Sequence, residues 1–254
     1  MSPHFIEVEG LRKSFHGKTV LNDIDLVVES NQLVVLIGPS GCGKSTLLRC
    51  LNGLEIIDRG RISVNGLTLR RDAVQTPVDK EYFRTAHQFR AEMGMVFQSF
   101  NLFPHMTALE NVARPQTIVR KTPVLQAREF AGQLLQKVGL KDKLERYPHE
   151  LSGGEQQRAA IARTLAMQPK VILYDEPTSA LDPGLVDEVL EVMRELDREG
   201  ITQIVVTHEM HFARNAAKKV VFMSEGKIVE EGKPERMFSD PFDSRTRQFL
   251  KRYL

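Results

Sequence analysis

The sequence predicts an α/β fold with a mostly parallel central sheet that is covered on both faces. Short aliphatic runs alternate with helical segments: VVLIG at Val34–Gly38, then VILYD, QIVVT and VVFM in the second half of the chain. Strands of this kind, with no polar alternation, belong to parallel sheets buried on both sides. The first run leads directly into a glycine-rich loop, GPSGCGKST at Gly38–Thr46, and then into a helix.

In chain order, the strand VVLIG is followed by its loop and by a helix over about Lys44 to Asn52. RISVNG ends a further strand at an Asn-Gly turn. From about Asp72 to Leu151 the chain is charged, has no clear strand after MGMVF, and shows helical periodicity in VLQAREFAGQLLQKVGL. The α/β rhythm then returns, with helices starting near Pro183 and Glu209. The chain therefore reads as a single domain, 1–254, in which a helical subdomain at about 98–165 interrupts a core formed by about 1–97 and 166–254.

Composition narrows the function. With 41% hydrophobic residues among 254, the chain can bury one large core. Its 35 Lys and Arg nearly balance 33 Asp and Glu, for a net charge of +2, and the basic residues are scattered, which disfavours a nucleic-acid binder. The longest aliphatic run, LVVLI at Leu33–Ile37, is far short of the roughly 18 residues of a membrane span. MSPHFIEVEG has no apolar leader core, so a cytoplasmic location is expected and any membrane role requires a partner. The two cysteines, Cys42 and Cys50, suit a reducing compartment.

GPSGCGKST fits G-x-x-x-x-G-K-[ST] through Gly38, Gly43, Lys44 and Ser45, and it has the required strand before it and helix after it. In such a loop the amides of Ser40, Gly41, Cys42, Gly43 and Thr46 wrap phosphate oxygens, Lys44 reaches the β- and γ-phosphates and Ser45 ligates Mg²⁺. VILYDE ends in two carboxylates at the ligand edge of the sheet, where Asp175 can hold Mg²⁺ and Glu176 can orient the attacking water. Together the motifs specify nucleotide hydrolysis with Mg²⁺. Cys42 lies beside a helix N-terminus and Lys44, surroundings that lower a thiol's pKa. Cys50 reads as a small buried hydrophobe.

LSGGEQQR at Leu151–Arg158 is a second glycine-rich helix start, again suited to an anion. With this segment the chain resembles the ATP-binding cassette family, in which an LSGGQ segment caps the γ-phosphate of ATP held by the opposite subunit; Glu155 stands here in place of the usual glutamine. The resemblance implies the cassette fold, a P-loop NTPase core with an N-terminal antiparallel β subdomain, and a head-to-tail dimer in which Ser152, Gly153 and Gly154 complete the partner's site. It further implies that Gln98 approaches Mg²⁺ and the attacking water, that Asp182 in SALD belongs to a subunit-communication loop, and that His208 contacts the γ-phosphate. Phe15 falls where the family places an aromatic that stacks on adenine.

A finer resemblance is to the ATPases of bacterial polar amino-acid importers, carried by FNLFPHMTALENV, THEMHFA, FMSEGKIVEEGKP and RTRQFL. It implies an integral membrane permease docking near Phe100–Met106, an external or periplasmic solute-binding protein, and attachment at the cytoplasmic face of the plasma membrane. His211 departs from the usual THEMGFA. The charged arm RRDAVQTPVDKEYFRTAHQFR resembles importers of basic amino acids, opines or histidine. Two alternatives stand beside this reading: the ATPase of another transport system, for lipoprotein or metal, and a soluble cassette ATPase acting on nucleic acid or ribosomes.

Overall fold

The computed structural model describes residues 5–75 and 77–253. The first four residues and one position of the charged arm, 76, lie outside the described residues.

The chain opens with a long hairpin, β1 (Ile6–Phe15) and β2 (Lys18–Val28), followed by β3 (Leu33–Ile37) and α1 (Lys44–Leu51). A second hairpin, β4 (Arg59–Val64) and β5 (Leu67–Arg71), precedes α2 (Lys80–Glu92) and β6 (Met93–Val96). Three helices come next: α3 (Ala108–Ile118), α4 (Val124–Lys137) and α5 (Gly153–Leu165). The remainder is β7 (Val171–Asp175), α6 (Pro183–Arg198), β8 (Thr202–Val206), α7 (Met210–Ala216), β9 (Lys219–Ser224), β10 (Lys227–Gly232), α8 (Pro234–Ser239) and α9 (Ser244–Leu250).

Two sheets result. The first is antiparallel, in the order β2-β1-β4-β5; the second runs β10-β9-β3-β8-β7-β6 and is parallel except at β10. All five residues of β3, of β7 and of β8 are buried, as their largely aliphatic composition predicts, and the polar Asp175, Thr202 and Gln203 are buried with them. Alternate residues of β3 feed two cores. Leu33, Val35 and Ile37 pack with α3 to α6 and the C-terminal helices. Val34 and Leu36 pack with the antiparallel sheet, α1 and α2. Helix α2, from the charged arm, buries Tyr82, Ala86 and Phe89 in this second core, and a Cβ on Gly53 would sit 2.8 Å from the Ala86 Cβ.

The stretch 97–107 is irregular and is held by side chains from two helices: Gln157 and Arg163 of α5 donate to the carbonyls of Phe97, Phe100 and Asn101, and Asn111 of α3 makes the most bonds to it. Asn111 is fully buried; its amide oxygen accepts from the Phe103 N–H (2.7 Å) and its nitrogen donates to the carbonyls of Phe103, Met106 and Thr107. Helix α3 then starts at a capping box between Thr107 and Glu110.

Candidate functional site

The parallel register brings the ends of four strands to one edge. Val96 pairs with Tyr174, Asp175 with Val206, and Leu36 with Val206. The residues that follow, Gly38, Gln98, Glu176 and His208, therefore emerge along one rim, the carboxyl edge where ligands bind in open α/β sheets.

The loop after β3 can only be built with glycine at two points. Gly38 has φ +147° and a Cβ there would lie 2.1 Å from the Met223 carbonyl; Gly43 has φ +107° and a Cβ would lie 2.8 Å from the Val20 carbonyl. Gly43 also caps α1 with no side-chain bond to its amides, which leaves the helix start available to an anion. Lys44 is 4% exposed and arches back across the loop, donating to the carbonyls of Gly38 (2.8 Å) and Pro39 (3.0 Å). Ser40 and Gly41 form the exposed tip, and Thr46 is half-buried.

Ser45 donates its hydroxyl proton to Asp175, which is 5% exposed. Arg49, one turn further along α1, reaches 3.7 Å from the same carboxylate; the sequence offered only its i+4 spacing from Ser45 as a signal. Glu176 has a left-handed backbone, φ +49°, rare for a residue with a side chain. Its N–H donates to the Val206 carbonyl (3.0 Å), and its carboxylate lies 3.3 Å from His208 Nε2. Gln98 is exposed on the same rim.

Cys42 differs from expectation. The sulfur lies 3.9 Å from Lys44 Nζ, yet the residue is 7% exposed, and burial pushes its thiol up despite the ammonium and the nearby amides. Cys50 is fully buried, and burial pushes it up to about 12.

The start of α5 stands apart from this cluster. Ser152 is its N-cap: the Glu155 N–H donates to Ser152 Oγ (3.2 Å), and the Ser152 N–H donates back to the Glu155 carboxylate (2.8 Å). Glu155 also pairs with Lys143 at 3.0 Å; burial opposes its charge, but the Ser152 amide and Lys143 still hold its carboxyl below the usual range. The departure from glutamine thus supplies a capping carboxylate. Cβ atoms on Gly153 and Gly154 would press on Leu181 (3.1 Å) and Leu185 (3.2 Å). Among the described residues no hydrogen bond joins this helix start to the phosphate loop. Asp182 is exposed at the N-cap of α6, and His211 is exposed on α7 beside Asn215.

Phe15 is 37% exposed at the end of β1, with Lys13 Nζ 4.6 Å from its ring centroid. Phe103 is 44% exposed, whereas Phe100, Leu102 and Met106 are half-buried.

The profile of the ABC transporter family matches residues 21–179. The chain is 52% identical to the L-cystine transport system ATP-binding protein TcyN of Escherichia coli (strain K12), over 98% of both chains. It is 48% identical to the glutamine transport ATP-binding protein GlnQ of Geobacillus stearothermophilus, over 99% of this chain and 98% of that one. Among solved structures, the dimeric post-hydrolysis state of the ATP-binding cassette MJ0796 bound to ADP and Pi matches with a TM-score of 0.77 at 30% identity, covering 90% of this chain and 98% of that one. The cbiO1 structure from Clostridium perfringens, part of the ABC transporter complex cbiONQ, matches with a TM-score of 0.81 at 28% identity, covering 94% and 92%. The chain belongs to the ABC transporter family.

Proposed function

We propose that the chain is the ATP-hydrolysing subunit of a membrane importer of polar amino acids. What carries the reading is the convergence of Lys44, Ser45, Asp175, Glu176 and His208 on one sheet edge, in a chain whose relatives are ATP-binding proteins of cystine, glutamine, glutamate and arginine transport.

In this reading Gly38 to Thr46 wrap the β-phosphate, and Lys44 exchanges its loop carbonyls for phosphate oxygens. Glu176 accepts a proton from the attacking water, His208 and Gln98 line the γ-phosphate, and Phe15 stacks on the base. No group of three or more His, Cys, Asp or Glu side chains is arranged to hold a metal among the described residues. A hard cation here must take most of its ligands from phosphate and water, which is how Mg²⁺ is commonly held. The Ser45 hydroxyl and the Asp175 carboxylate, already in contact, fit that donor set, with Gln98 nearby. Bound there, Mg²⁺ would neutralise charge on the β- and γ-oxygens.

Ser152, Gly153 and Gly154 are left for a second copy, whose γ-phosphate they would cap in a head-to-tail dimer; Asp182 would border that contact. The helical segment, about 98–165, is the proposed subdomain that meets the permease, with docking near Phe100–Met106. A solute-binding protein would select the amino acid, and the subunit would work at the cytoplasmic face of the membrane.

Affinity purification from detergent-solubilised membranes tests the assignment. The chain should bring down a small polytopic protein, and uptake of a labelled polar amino acid should require both. Recovery of nucleic acid or ribosomes with no membrane subunit would overturn it.

A further inference from the structure

Lys13 is the one buried lysine besides Lys44 among the described residues, at 9% exposure, and no part of the phosphate chemistry uses it. Three groups surround its ammonium. Nζ donates to the Ile56 carbonyl at 2.8 Å, lies 3.5 Å from the Glu55 carboxylate, and sits over the Phe15 ring at 4.6 Å. An ammonium has three donors and strong hydration to give up, so a buried one is held where its contacts replace that water.

The local backbone is fixed to the same segment. The Ser14 N–H donates to Asp58 Oδ2 (2.6 Å), and the Asp58 N–H donates to the Arg12 carbonyl (2.9 Å). The β1–β2 ladder shifts register at Lys13/Ser14, a bulge of the kind that re-aims a side chain. Residues 55–58 follow α1, the helix that carries Lys44 and Ser45. At the other end of α1, Val20 and Leu21 of the same hairpin abut Gly43. The hairpin bearing Phe15 is therefore bolted to both ends of the phosphate-loop helix.

We infer that Lys13 is a positioning residue for nucleotide recognition: it holds one face of the Phe15 ring from beneath and so presents the other as a platform for the base. The inference rests on the proposed role of Phe15. A cation over one face of an aromatic is attracted by the ring's quadrupole, which fixes the ring's tilt and draws electron density away from the free face. A purine stacking there meets a ring already oriented and polarised, and loses less freedom on binding.

The test is a double-mutant cycle on ATP affinity, measured with the purified chain and a fluorescent ATP analogue displaced by ATP. Lys13→Met is expected to raise the Kd for ATP about three- to fivefold, the range a cation–π contact of ordinary strength supplies. Lys13→Arg, which keeps a cation over the ring, should restore affinity to within about twofold. In a Phe15→Leu background, which weakens ATP binding by itself, Lys13→Met should add nothing. If Lys13→Met destabilises the nucleotide-free chain, Lys13→Gln keeps a donor for the Ile56 carbonyl, removes the charge and gives the same readout. An equal loss in the Phe15→Leu background, or no loss in the native one, overturns the role of Lys13 while leaving Phe15 as the platform. An unchanged Kd in Phe15→Leu alone overturns the platform and the inference with it.

Discussion

His208 Nε2 stands 3.3 Å from a carboxylate oxygen of Glu176, joining the loop after β8 to the residue after β7. Glu176 reaches that position through a left-handed backbone that costs about 1–3 kcal/mol at a residue with a side chain. An N–H bond to the Val206 carbonyl holds this conformation in place and keeps the carboxylate on the rim.

Lys44→Ala should abolish tight ATP binding and turnover. The ammonium is lost from the loop centre, and the carbonyls of Gly38 and Pro39 lose their donor. The fold itself should survive, since the hydrophobic contacts of α1 come from Leu47, Leu48, Cys50 and Leu51. Equilibrium binding and circular dichroism separate the two effects; a folded Lys44→Ala protein that hydrolyses ATP normally contradicts the loop assignment.

Phe103→Glu should leave basal hydrolysis near normal and stop assembly with the membrane subunit. Phe103 is exposed while its backbone is tied to Asn111, so the change alters the surface and spares the loop. Co-purification and uptake measure it; an assembled, transporting Phe103→Glu complex would show that the permease docks elsewhere.

The thiols give a pH prediction. Cys50 is raised from 9.0 to about 12 by burial, so the folded chain favours the neutral thiol more than the unfolded chain does. That contribution is complete below about pH 9 and is lost as pH rises through about 12, because the unfolded state ionises first. Melting temperatures of the native chain and Cys50→Ala should therefore converge between those values. Cys42, also raised, should react slowly with iodoacetamide at neutral pH and faster as pH rises, since the thiolate is the nucleophile. Rapid labelling of Cys42 at pH 6 would contradict its burial.

Much of this was legible in the sequence because it is local. VVLIG, VILYD and QIVVT announce buried parallel strands by composition alone, and GPSGCGKST announces its loop by spacing. What was hidden depends on tertiary burial. Cys42 looks activated by its chain neighbours, but the core beneath the loop removes its water, and desolvation outweighs Lys44. The charged arm conceals α2 because only Tyr82, Ala86 and Phe89 face the core. Lys13 precedes Phe15 by two residues, a readable spacing, yet only the fold brings Glu55 and Ile56 against it.

The start of α5 carries the most discriminating experiment. Its cap, Ser152, is exposed and its side chain is bonded only within its own turn, so in the proposed dimer it would offer its helix start to the phosphate held by a second chain. Glu176→Gln keeps the side chain's size and removes the base, so hydrolysis should fall by at least about a hundredfold with ATP still bound. The trapped γ-phosphate should then hold two chains together, and the variant should run as a dimer with ATP and separate with ADP in size-exclusion chromatography. Adding Ser152→Arg puts bulk at the contact and removes the capping hydroxyl, which alone costs about 1 kcal/mol of helix stability. That loss is too small to unfold the chain, and ATP binding at the chain's own loop should persist. A Glu176→Gln, Ser152→Arg protein that dimerises with ATP as well as Glu176→Gln alone would show that LSGGE is not the site completing the partner's nucleotide pocket.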